Sequence, residues 1–230
     1  MRIRNILSIS VLVLVFFLLT GCAADRAVVN RDKRKQALEE MGISLVSQGN
    51  LRAGLEYFLK AVELDPENAV LHHELAEVYK RLGQYDLSLQ HFKKALDLKP
   101  DFSDAQNNLG TLYLLMQKWD LSIDSFQSAI DDLLYKTPDI AYNNMGLAYY
   151  YKGEYQKAIN HYLMALNIFP SYAVCYFNLG LAYEALGTME EAVDAYESAV
   201  GLAPEYWRAR LSLGKLYLEM DRHQDDQGAR

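Results

Sequence analysis

The sequence predicts an all-α protein built from repeated helical pairs, on three observations. From about residue 35 onward, apolar residues recur with a helical period. One short pattern returns about every 34 residues. Turn-forming glycines and prolines fall between the periodic stretches and not inside them.

The repeat is plain from aligned triplets. Glu40-Met41-Gly42, Glu74-Leu75-Ala76, Asn108-Leu109-Gly110, Asn144-Met145-Gly146, Asn178-Leu179-Gly180 and Ser212-Leu213-Gly214 have third residues 34, 34, 36, 34 and 34 positions apart. Three residues after each stands Leu45, Tyr79, Tyr113, Tyr149, Tyr183 or Tyr217. Later in each unit come Phe58, Phe92, Phe126, Tyr162 and Tyr196, then Ala61, Ala95, Ala129, Ala165 and Ala199 three residues on, and a closing Pro66, Pro100, Pro138, Pro170 or Pro204. The small residues let helices approach closely, the aromatic fills the space between them, and proline ends the second helix because it has no N–H to donate. Gly49, Gly83, Lys118, Gly153 and Gly187 fall where the first helix of each pair must turn into the second. The units are 35–68, 69–102, 103–138, 139–172 and 173–206. A lone first helix over 207–220 caps the last apolar face, and a polar tail follows over 221–230. The third unit carries two extra residues near Leu133–Pro138, which either bend the array, present a loop, or are a tolerated surface insertion.

These residues resemble the tetratricopeptide repeat, a helix-turn-helix unit of 34 residues, over Lys35 to Met220. The resemblance implies a right-handed superhelical solenoid whose extended concave surface, lined by the first helices, binds a protein partner. It also places groove-facing side chains at the second, fifth, ninth and twelfth positions of each unit. In the first two units these are mixed and polar, as in Glu39, His73, Glu77 and Lys80. From the third unit they include Asn107, Asn143, Leu147, Tyr150, Val174, Phe177, Leu181 and Leu211, an apolar stripe toward the C-terminus that forms the candidate peptide-binding groove. A second copy of the chain or its own N-terminal segment would fill the same stripe. Asn108, Asn144 and Asn178 stand at the sixth position of successive units, where they either hydrogen-bond a peptide backbone as a ladder or bond neighbouring helices.

The first 21 residues read as a signal segment, with Arg2 and Arg4 preceding an apolar stretch from Ile6 to Leu19. Leu19-Thr20-Gly21-Cys22 resembles the lipobox of bacterial lipoproteins. That resemblance implies cleavage before Cys22 and fatty acylation of it. Ala23 in the next position implies the outer membrane, facing the periplasm. The alternative is a short transmembrane anchor with an incidental cysteine. Residues 22–34 are short, polar and charged and read as a lipidated tether.

Composition excludes several function classes. With 23 Lys and Arg against 30 Asp and Glu the formal charge is -7, and removal of Arg2 and Arg4 takes it to -9. A nucleic-acid footprint would be basic. The two cysteines, Cys22 and Cys175, form no disulfide framework, and Cys175 reads as a small buried hydrophobe. His72 and His73 point about 100° apart on a helix and cannot share a metal. No nucleophile elbow, phosphate-binding glycine loop or metalloprotease motif is present, so neither an enzyme, a small-molecule substrate nor a cofactor beyond the covalent lipid is expected.

The stretch from Leu133 to Gly153, LLYKTPDIAYNNMGLAYYYKG, resembles the middle region of the pilotin lipoproteins of type IV pilus systems. The resemblance implies a lipoprotein that binds outer-membrane secretin subunits and promotes their localisation and multimerisation. A lipoprotein adaptor for cell-wall hydrolases or proteases, and a subunit of an enzyme, remain as alternatives.

Overall fold

The computed structural model describes residues 28–228, with side chains to residue 221. Cys22 and the expected signal segment lie outside the described residues. The described chain is all-α, eleven helices and no strand. After α1 over 28–47 come α2 Leu51–Leu64, α3 Ala69–Arg81, α4 Tyr85–Leu98, α5 Ser103–Leu115, α6 Trp119–Ile130, α7 Pro138–Tyr151, α8 Tyr155–Ile168, α9 Ala173–Leu186, α10 Met189–Leu202 and α11 Trp207–Gly228. Odd-numbered helices are the first of each pair and even-numbered ones the second.

Two compact units divide the chain, one ending at Leu98 and the other beginning at Lys99. In the first, Phe58 and Ala61 of α2 are buried with Leu71, Leu75, Val78 and Tyr79 of α3, and Leu38 and Val46 of α1 close the cluster. Asn68 starts α3, its side-chain oxygen accepting from the backbone N–H of Val70 at 3.0 Å and Leu71 at 3.2 Å. In the second unit, α8 and α9 share a core of Ala158, Ile159, Tyr162, Ala165, Leu166, Cys175 and Leu179, against which Tyr142, Tyr149 and Tyr150 of α7 pack. The last core joins α9, α10 and α11 through Phe177, Ala192, Tyr196, Ala199, Ala209 and Leu216.

Close approach explains the repeated small residues. A Cβ built on Gly110, Gly146 or Gly180 would come within 2.5 to 2.7 Å of the ring of Phe126, Tyr162 or Tyr196 sixteen residues later. Facing them on the second helix are other small side chains. Ser88 and Ser122 donate their hydroxyl protons to the carbonyls of Ala76 and Gly110 at 2.8 and 2.7 Å, so both of these buried hydroxyls are paired.

Two expectations are corrected, at the turn of the third unit and at the end of the capping helix. The left-handed residue at the turn of the third unit is Gln117, at φ 57°, and not Lys118; it takes the place of Gly49, Gly83, Gly153 and Gly187, all at positive φ. Residues 28–34 are helical and run into the first repeat unit as part of α1. The capping helix does not stop at Met220 but continues to Gly228, because no glycine or proline interrupts it earlier than that after Gly214. The two-residue insertion appears as the loop 131–137, on which Leu133 and Leu134 are 98% and 86% exposed. The loop is tied down by Asp132, which accepts hydrogen bonds from the Ser103 hydroxyl and the Leu134 N–H. Both bonds hold the Asp132 carboxyl below the ordinary carboxylate range.

Candidate functional site

An apolar cleft lies within the second unit, between α5, the turn after it, the start of α6, and α7. It encloses about 570 Å³ and is lined by Leu114, Leu115, Trp119, Leu147 and Tyr151, with Thr111, Gln117 and Asn144 as its polar members. Helical spacing builds it: Thr111, Leu114 and Leu115 share a face of α5, while Asn144, Leu147 and Tyr151 share a face of α7. The Trp119 ring stacks on Tyr151 with centroids 5.3 Å apart and planes 22° from parallel, which makes one continuous aromatic wall. Beside this wall the Lys152 ammonium bridges Asp120 at 2.7 Å and Glu154 at 2.9 Å. Leu115 and Tyr151 remain half exposed, so the cleft is open to an incoming side chain.

Of the sequence-predicted stripe, Leu147 and the ladder residue Asn144 line this cleft, and the others separate. Val174 and Leu211 are exposed at 45% and 48%. Tyr150 is half-buried against Tyr151 and Tyr155, and Leu181 is half-buried on the α9–α11 core. Phe177 is a correction: it is buried against Tyr206 and Tyr196, with centroids 5.2 and 5.8 Å away, because the fifth position of α9 faces the turn that follows α10. Asn107 and Asn143 are likewise buried and do not line the cleft. Trp119 and Tyr151 were not among the predicted groove residues. Trp119 sits at the first position of a second helix, outside the first-helix groove positions, and Tyr151 lies one turn beyond Leu147 on the same face of α7, past the last of those positions.

The asparagines form an internal chain. Asn178 donates to the side-chain oxygen of Asn143 at 2.9 Å, Asn143 donates to Asn144 at 3.3 Å, and Asn107 donates to Asn108 at 3.4 Å. Asn178 therefore bonds the preceding unit. The side-chain oxygen of Asn107, equivalent to the satisfied one of Asn143, is buried without a partner.

Cys175 and three histidines sit within the helix packing. Cys175 is fully buried, its thiol donating to the Tyr162 carbonyl at 3.4 Å, and burial pushes its pKa up to about 12. Such a thiol is not a nucleophile at neutral pH. His72 bonds the Pro66 carbonyl at 2.9 Å and His91 at 3.0 Å. His161 is stacked between Tyr142 and Tyr149. Burial lowers the pKa of both His91 and His161, with the charge of His72 adding to the effect at His91. Among the described residues no group of three His, Cys, Asp or Glu side chains could hold a metal, and no helix is long and apolar enough to cross a membrane.

The family model of the tetratricopeptide repeat matches residues 33–101, 66–133, 101–171 and 137–205. The chain is a tetratricopeptide-repeat protein. Solved structures similar to this tetratricopeptide-repeat protein include MamA, 27% identical over 73% of this chain and 96% of MamA, with a TM-score of 0.64. PilW, described as a widely conserved type IV pilus biogenesis factor, is 20% identical over 82% of this chain and 91% of PilW, with a TM-score of 0.73. Pseudomonas aeruginosa PilF is 18% identical over 87% of this chain and all of the PilF chain, with a TM-score of 0.69. At these identities PilW and PilF share the fold. No curated protein matches the chain.

Proposed function

We propose that this protein is a lipid-anchored scaffold of the outer membrane, facing the periplasm, which binds secretin subunits and promotes their localisation and multimerisation in type IV pilus assembly. The observation that carries the binding role is the α5–α7 cleft, an open apolar surface with a continuous aromatic wall on a repeat scaffold whose family binds protein partners. The pilus role is supported by the likeness to PilW, a type IV pilus biogenesis factor, and by the lipobox resemblance at Cys22. The mechanism is recognition. An apolar side chain of the partner enters between Leu114, Leu147 and Trp119, and the Asn144 amide at the rim bonds its backbone. Burying about 100 Å² of apolar surface there stabilises the complex by about 2.5 kcal/mol before losses of motion are counted. Acyl chains on Cys22 hold the scaffold where the partner arrives, each buried methylene contributing about 0.8 kcal/mol.

The test is complementation of a deletion strain with the wild-type chain or Cys22→Ser, read as the ratio of secretin multimer to monomer in envelope fractions. Wild type restores the multimer, and Cys22→Ser leaves the membrane fraction and restores less. Normal multimer in the deletion strain contradicts the pilotin role, and Cys22→Ser that stays in the membrane contradicts the lipid anchor.

A further inference from the structure

The glycine sockets of the repeat define a shape that one helix leaves open. At Gly42, Gly110, Gly146 and Gly180 an added Cβ would meet, at 2.5 to 2.8 Å, the ring of Phe58, Phe126, Tyr162 or Tyr196. Each ring comes from the second helix of the same pair, sixteen residues on, and each is followed three residues later by alanine. Gly214 of α11 stands at the same repeat position, and nothing lies within 4 Å of a Cβ there. The surrounding face is exposed: Trp207, Arg210, Gly214 and Tyr217 follow one another at spacings of three and four, Tyr217 donating its hydroxyl proton to Glu197 of α10 at one side, with Leu211 and Leu218 along the edge. Trp207 and Leu218 are 64% and 62% exposed. The chain does not fold its own helix back at the usual place, because α11 continues as helix through Asp221, the counterpart of the turn residue Gly187.

Charge narrows the occupant. The fourth position of the earlier units holds Leu38, His72, Gln106, Tyr142 and Tyr176, and in α11 it holds the exposed cation Arg210. In the preceding pair, Tyr176 borders the surface formed with Asp194 and Ser198 of α10, Asp194 lying two residues before the socket-filling Tyr196. A helix docked on α11 as α10 docks on α9 brings a carboxylate at that position toward Arg210.

We propose that α11 is an open edge of the repeat which accepts an amphipathic helix from a partner protein, one carrying an aromatic residue for the Gly214 socket, alanine three residues after it and a carboxylate two residues before it. The occupant completes a sixth helical pair between chains, continuing the α9–α10 interface. The α11 edge shares no residue with the α5–α7 cleft.

The probe is the chain's own helix of this type: a helix-stabilised, dye-labelled synthetic peptide of residues 188–204, titrated against the full-length protein in detergent and read by fluorescence anisotropy. Saturable binding is expected, weakened at least tenfold by Tyr196→Ala in the peptide and by Gly214→Leu in the protein, and unchanged by Leu147→Glu in the cleft. Circular dichroism checks that Gly214→Leu stays helical, and Arg210→Glu, on the surface, gives an independent loss. Absence of saturable binding, or binding indifferent to Tyr196→Ala, Gly214→Leu and Arg210→Glu, overturns the proposal. So does a concentration-dependent dimer of the protein alone that Gly214→Leu abolishes, which would give the face to a second copy.

Discussion

The ring of Tyr162 lies so close to the backbone of Gly146 that a Cβ there would stand 2.6 Å from the ring edge. This contact, repeated along the chain, is the physical cause of the period read in the sequence: glycine on the first helix and an aromatic sixteen residues on are two halves of one fit. Gly146→Ala and Gly180→Ala are expected to lower unfolding free energy by about 1–3 kcal/mol, the usual range for overpacking. Gly214→Ala, with open space at its Cβ, is expected to be neutral or to stabilise by up to about 1 kcal/mol through helix propensity. Urea denaturation of the three variants decides this, and equal losses at all three positions would contradict the open socket at Gly214.

The two tyrosines in the sockets are not equivalent. The Tyr162 hydroxyl is buried with no hydrogen-bond partner, and burial raises its pKa, whereas the Tyr196 hydroxyl donates to Glu184 at 2.6 Å. Tyr162→Phe is expected to leave stability unchanged or raise it by about 1 kcal/mol, and Tyr196→Phe to lower it by roughly 1 kcal/mol. Phenylalanine already fills the same socket in the first three units as Phe58, Phe92 and Phe126. Thermal unfolding followed by circular dichroism separates the two variants.

A similar contrast applies to the asparagines. Asn143→Leu removes the acceptor of the Asn178 amide and leaves that donor without its bond, at a cost of about 1–3 kcal/mol. Asn107→Leu removes an oxygen that has no partner and is expected to cost less. Denaturant midpoints of the two variants, measured side by side, check the order.

Acid stability should depend on the stacked histidines. Burial holds the folded-state pKa of His91 and His161 below the ordinary histidine value of 6.5, so below that pH the unfolded chain binds more protons. Their contribution is complete above pH 6.5 and is lost as pH falls from there toward the folded values. Asp65 and Asp132, lowered by hydrogen bonds from Lys35 and Ser103 respectively, lose their contributions only below the ordinary carboxylate range. The predicted result is a melting temperature that falls between pH 7 and pH 5, with a smaller fall in His161→Phe. Melting curves at both pH values for the two proteins test it.

The fold was legible because the period is carried by residues that touch one another. Gly146 and Tyr162 are contacts first and pattern second, so the spacing of 34 survives changes elsewhere. The cleft was only partly legible. Leu147 and Asn144 lie on a groove face that one helix's periodicity predicts, but Trp119 joins them only because α6 starts beside the end of α7, a relation between two units. Phe177 had the right type and periodicity for a groove residue, yet Tyr206 covers it from the turn after the next helix. The turn of the third unit was read one residue late, at Lys118, because Gln117 adopts the left-handed conformation there without the glycine that marks the other turns.

The central claim is that the cleft beside Leu147 holds a secretin segment. The direct measurement is a crosslinked pull-down of the full-length protein from cells that make it, comparing wild type with Leu147→Glu at equal abundance and equal helicity, with bound proteins identified by mass spectrometry. Secretin recovered with wild type and depleted at least tenfold with Leu147→Glu is the predicted result. Recovery of wall hydrolases or proteases without secretin, or secretin retained undiminished by Leu147→Glu, would contradict it.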